Sequence, residues 1–97
     1  MMVVGVAKVQ LFIPENRSLK GKRQVVKSLL RQINGRFKNV SVAEVDDQDL
    51  WQRAQIGLTT VGSDQRFINS LLDRALDYIE AYGGVEVIET KIEIISL

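Results

Sequence analysis

The chain has no cysteine and no histidine among its 97 residues, and only one proline. Without cysteine there is no disulfide, no thiolate nucleophile and no cysteine-held zinc or cluster. Without histidine the commonest general base and metal ligand is gone, and with it the only side chain that normally titrates near neutral pH. No nucleophile–base pair, Walker loop or glycine-rich dinucleotide motif is present either. The composition therefore favours a binding protein over an enzyme, with no catalytic residue assigned and no cofactor or metal expected. No apolar run approaches the ~20 residues that span a bilayer. Met1-Met2 lead straight into a strand pattern rather than into a signal peptide. The expected location is the cytoplasm, with no membrane partner.

Acidic residues are missing from one long stretch. Between Glu15 and Glu44 there is no Asp or Glu, whereas Arg17, Lys20, Lys22, Arg23, Lys27, Arg31, Arg36 and Lys38 all fall there, eight of the thirteen basic residues. Glu44, Asp46, Asp47 and Asp49 follow close behind. The net charge is only +1, so it is the separation of the two signs, not their sum, that carries a strong local field. At 45% hydrophobic and 26% charged, the rest of the chain is ordinary globular material.

The apolar pattern divides the chain into six elements. Val3 to Ile13 is rich in β-branched residues and reads as a central strand, buried on both faces early and on one face later, ended by Pro14. Ser18 is a good N-cap for a helix whose apolar side gathers Leu19, Val25, Val26, Leu29, Leu30, Ile33 and Phe37. Lys20, Arg23, Lys27 and Arg31, at three- and four-residue steps, form a separate ridge. Asn34-Gly35 is expected to stop this helix in the left-handed conformation. Val40 to Val45 and Gln52 to Val61 read as a strand pair joined by an acidic turn. In the second of these, Ala54, Ile56, Leu58 and Thr60 alternate against Arg53, Gln55, Gly57 and Thr59. Gly62-Ser63-Asp64 caps a second helix with Phe67, Ile68, Leu71, Leu72, Ala75, Leu76 and Ile79 on its apolar stripe, ended by Gly83-Gly84. In the last strand, Val85 to Leu97, Ile88, Thr90, Ile92 and Ile94 oppose Val87, Glu89, Lys91 and Glu93. A charged face of this kind suits a sheet edge.

The order βαββαβ predicts an α+β, ferredoxin-like fold: an antiparallel four-stranded sheet with two helices on one face, in a single domain over residues 1–97. The other sheet face would show Lys8, Gln10, Gln55, Thr59, Glu89, Lys91 and Glu93 with only Phe12 aromatic. That is too few rings for the base-stacking platform of RNA readers on this fold.

The basic segment is the strongest functional signal. A helix start offers free N–H groups and a partial positive charge that favour an anion, and Gly21 would let a ligand come close. Cations in the first turn oppose the helix dipole, so a purely structural surface would place acids there. The expected nucleic-acid footprint is Arg17, Lys20, Lys22, Arg23, Lys27 and Arg31, meeting phosphates rather than bases. Trp51 is expected to close the hairpin root over the core; as an interface anchor it would act with Glu44 and Arg53 beside it. Asp46, Asp47 and Asp49 lack the glycine and distal glutamate of a calcium loop and read as a solvated turn.

Two blocks resemble a known family. Ser18-Leu19-Lys20-Gly21-Lys22-Arg23-Gln24-Val25-Val26-Lys27-Ser28-Leu29, and Val42-Ala43-Glu44-Val45-Asp46-Asp47-Gln48-Asp49-Leu50-Trp51-Gln52-Arg53-Ala54 with Ile56-Gly57, look like the YlxP-like family of small bacterial proteins. The resemblance covers nearly the whole chain. It implies a ferredoxin-like domain of unknown function whose gene often neighbours those of translation initiation factor two and ribosome-binding factor A. That neighbourhood implies a role near the ribosome, and no established catalytic residues come with it. The expected partners are structured RNA or a ribosomal subunit. The alternatives are a protein-interaction or homodimer module using the open sheet face, and an acylphosphatase-like enzyme or small-anion sensor at Pro14-Glu15-Asn16-Arg17, though the glycine-rich cradle such enzymes carry is absent there.

Overall fold

The first strand, β1 (Val3–Phe12), alternates buried and partly exposed side chains along its whole length, because only one sheet face is covered. The computed structural model describes residues 1–97. After β1 come α1 (Leu19–Arg36), β2 (Ser41–Asp46), β3 (Arg53–Gly62), α2 (Gln65–Glu80) and β4 (Glu86–Ser96). The strands form one four-stranded sheet in the order β2-β3-β1-β4. Every neighbouring pair is antiparallel. This is the ferredoxin-like βαββαβ arrangement, with β1 central and β4 at an edge.

Val3, Ala7, Val9 and Leu11 of β1 meet Ala54, Ile56 and Leu58 of β3 on the covered face, where Val26, Leu29 and Ile33 of α1 and Ile68, Leu71, Leu72, Ala75, Leu76 and Ile79 of α2 close over them. The approach of α2 is close. A Cβ built on Gly5 would sit 2.7 Å from Ile68 Cγ2 and 2.8 Å from Leu72 Cδ1, so a side chain there would have to displace these two packed side chains. The hydroxyls of Ser28 and Tyr82 lie 2.9 Å apart and tie α1 to the turn that follows α2.

Four local expectations change. The early part of β1 is buried on one face, like the rest of the strand, and not on both. The first helix does not stop at Asn34-Gly35. It continues to Arg36, and Gly35 keeps a negative φ, the left-handed positions being Asp47 and Gly84. Phe37 ends the helix instead, its N–H reaching the Ile33 carbonyl at 2.8 Å. Phe67 leaves the apolar stripe of α2 and stands 49% exposed. In β4 the register against β1 slips between Gln10 and Leu11. The bulge puts Val87, not Ile88, against the core, and Ile88 is exposed, because one extra residue reverses the face of everything before it.

Candidate nucleic-acid interface

Beyond β1 the chain is anchored to the root of the β2–β3 hairpin. Ile13 N–H donates to the Gln52 carbonyl at 2.7 Å, and Gln52 Nε2 donates to the Pro14 carbonyl at 3.0 Å. The Asn16 carboxamide donates to the Ser18 carbonyl at 2.7 Å and also to the Trp51 carbonyl. Ser18 then caps α1, its Oγ accepting from the Gly21 N–H at 2.9 Å. A Cβ at Gly21 would run into Asn16 Oδ1 and come within 3.1 Å of Ser18 Oγ. The space over Gly21 is thus filled by the protein's own side chains, not left for a ligand. Its N–H is already spent on the cap. The close approach of an anion that Gly21 was expected to allow is therefore blocked.

Lys22 is the main correction to the expected footprint. Its side chain is fully buried. The ammonium donates to the Asp47 carbonyl and lies 3.1 Å from Glu44 Oε2, whose side chain keeps 20% of its exposure. That oxygen has no hydrogen-bond partner, so the contact with Glu44 is a charge pair rather than a directed bond, and the directed bond goes to Asp47. A lysine buried this deeply needs both: an unpaired ammonium removed from water would cost several kcal/mol. Asp47 can receive it because its backbone is turned to φ 62°, and its Oδ2 is held by Gln55 Nε2 at 3.0 Å. Lys22 and Glu44 are therefore turned inward rather than presented at the surface. They form an internal clasp between the first turn of α1 and the end of β2, and the two sequence blocks that resemble the YlxP-like family meet at it.

The other five footprint residues, Arg17, Lys20, Arg23, Lys27 and Arg31, are all exposed. The chain contains two ion pairs, Lys22–Glu44 and Lys8–Asp46, the latter at 2.7 Å with both side chains about half exposed. None of the five takes part in either. From Lys20 to Arg31 the cations run along the outer side of α1 for roughly 16 Å at the helical rise per residue. Arg36 lies at the far end with its guanidinium 5.0 Å from the Tyr78 ring centre. Beyond it, Arg36, Phe37, Lys38, Phe67, Arg74 and Tyr78 help to line an open depression of about 650 Å³. The reading of the sequence missed this place, because it joins residues from two helices.

Trp51 does not close the core. It is 58% exposed, next to Leu50 at 46%, and only its carbonyl is engaged, by Asn16. Arg53 is exposed as well, opposite Phe12 on the uncovered sheet face. Of the three residues expected to act together at an interface, Trp51 and Arg53 are at the surface and Glu44 is turned inward to Lys22.

The family model described as protein of unknown function (DUF503) matches residues 4–92. The chain belongs to this family. One relative, the uncharacterized protein YlxP of Bacillus subtilis (strain 168), is 34% identical over 91 residues, which cover 94% of this chain and 98% of that one. The resemblance carried by the two blocks therefore extends over nearly the whole chain. Among solved structures, the de novo designed protein Foldit4 superposes with a TM-score of 0.57 at 15% identity, over 100% of this chain and 99% of that chain. An amidase of the hydantoinase/carbamoylase family from Burkholderia phymatum superposes with a TM-score of 0.52 at 12% identity, over 97% of this chain and 28% of that chain. At such identities the likeness concerns the fold, and a fold hosts many functions. No helix of the DUF503 chain is long and apolar enough to cross a membrane.

Proposed function

We propose that this protein is a non-enzymatic binding protein that docks on structured RNA, such as that of ribosomal particles, through the outer side of α1. One observation carries the reading: Arg17, Lys20, Arg23, Lys27 and Arg31 are exposed and unpaired, while α1 has no acidic residue in its first turn. Such an arrangement works against the helix dipole, and a polyanion from outside relieves it. Spaced cations on a convex helix suit phosphates along a backbone, not a base edge. Lys22 has no part in the contact; its role is to hold the start of the helix in place.

The affinity of such a surface depends on salt through counterion release. Neutralising about four phosphates of a single strand gives a log–log slope near −3. Binding to purified ribosomal subunits and to duplex and single-stranded RNA, measured across salt, should show that dependence. Lys20→Glu combined with Arg23→Glu should abolish most of it. A flat salt response, or unchanged affinity in the double variant, overturns the proposal.

A further inference from the structure

The outer side of β4 has no partner, and the ladder with β1 decides which of its backbone groups face outward. Met2 and Leu97 exchange both main-chain hydrogen bonds, each at 2.8 Å. In an antiparallel ladder such pairs alternate with pairs that make no hydrogen bond. The register continues as Val3↔Ser96, Val4↔Ile95, Gly5↔Ile94, Val6↔Glu93, Ala7↔Ile92, Lys8↔Lys91 and Val9↔Thr90. Ile95, Glu93 and Lys91 therefore bond inward to β1. Ser96, Ile94, Ile92 and Thr90 turn their N–H and C=O groups out of the sheet.

We propose that two copies of this chain pair through β4, antiparallel, about a two-fold axis at Ile92. A two-fold contact must be self-complementary, each residue i meeting j while j meets i, and this strand is so in that register. Ile92 faces its own twin as a hydrogen-bonded pair, and Thr90 faces Ile94 on either side. On the uncovered sheet face Lys91 of each copy stands opposite Glu93 of the other, in the non-hydrogen-bonded positions where side chains come closest. An axis at Lys91 or at Glu93 would set like charges face to face. An axis at Ile94 would put Lys91 against Leu97. An axis at Thr90 matches Lys91 to Glu89 but draws the bulge at the start of β4 into the ladder. Only the axis at Ile92 gives regular pairing with opposed charges over residues 89–95, clear of the bulge at Ile88.

The exposed surface agrees. Ile92 and Ile95 are 45% and 39% exposed on a strand, no proline interrupts it, and the charges flanking Ile92 are of opposite sign, so that they favour one pairing rather than exclude all of them. Alternating signs about a central isoleucine repel a wrong register and attract the right one. The pairing uses the strand's edge and leaves the uncovered face of the sheet free. Two four-stranded sheets would join into one of eight, with both helix layers on the same side.

Sedimentation equilibrium and light scattering test this directly. The wild-type chain should be a dimer. Lys91→Glu and Glu93→Lys should each weaken dimerisation roughly ten- to a hundredfold, since each turns two symmetry-related attractions into repulsions. Neither change threatens the fold, because both side chains are exposed. An equimolar mixture of the two variants should recover the dimer as a heterodimer, because each reversed charge then meets its opposite. A monomeric wild type at all concentrations, single variants that remain dimeric, or a mixture that stays monomeric would each overturn the proposal. RNA binding enters none of these readouts, so they stand apart from the proposed function.

Discussion

Lys22 falls in phase with Val26, Leu29 and Ile33, the buried residues of α1, so the helix carries its ammonium inward whatever the preceding loop does. Glu44 is two residues from Val42 on a strand and shares its helix-facing side. Both phases were open to inspection in the sequence, but the density of charge around Lys22 hid them. The clasp makes opposite predictions for neighbouring lysines. Lys22→Met leaves Glu44 facing the interior without a partner and should lower stability by about 3 kcal/mol, the low end for a broken buried pair because Glu44 keeps some water. Joining it with Glu44→Leu should return most of that loss. Lys20→Met, on the opposite, exposed side of the helix, should change stability by less than about 0.5 kcal/mol. Denaturant unfolding of the four proteins checks all three statements; equal losses at Lys20 and Lys22 would remove the clasp.

At the scale of the element, two glycines of α1 that look alike in sequence differ in kind. Gly35 has open space where a Cβ would stand and a helical backbone. Gly35→Ala should stabilise by roughly 0.5–1 kcal/mol, through propensity and a less flexible unfolded chain. Gly21→Ala gains the same propensity but must displace the Asn16 carboxamide from the Ser18 and Trp51 carbonyls. Net destabilisation of roughly 1–2 kcal/mol is expected, read as a fall in melting temperature against a rise for Gly35→Ala. Element types and order were legible because period-two and period-3.6 apolar patterns are strong over ten or more residues. Element ends and the bulge in β4 were not. They depend on which hydrogen bonds the neighbouring strand or turn supplies.

Across the whole molecule, charge and stability are set against each other along α1. Lys20→Glu places an acid in a first turn that has none and should raise stability by roughly 0.3–1 kcal/mol. For a domain of this size that is a shift of about 2–6 °C in Tm. With Arg23→Glu it should also weaken binding to RNA. A variant that is more stable and binds less separates the exposed cations from the structural ones. If stability fell instead, the ridge would be part of the framework.

The amino-acid sequence by itself determined the fold class, the order of strands and helices, the family and the stretch where positive charge collects, because each is written in local periodicity and composition. Periodicity puts Lys22 on the buried side of α1, but tertiary structure alone decided what a charge turned inward would meet. Burial depends on what packs opposite a side chain, and for Lys22 the opposite wall is a carboxylate and a carbonyl more than twenty residues further along the chain.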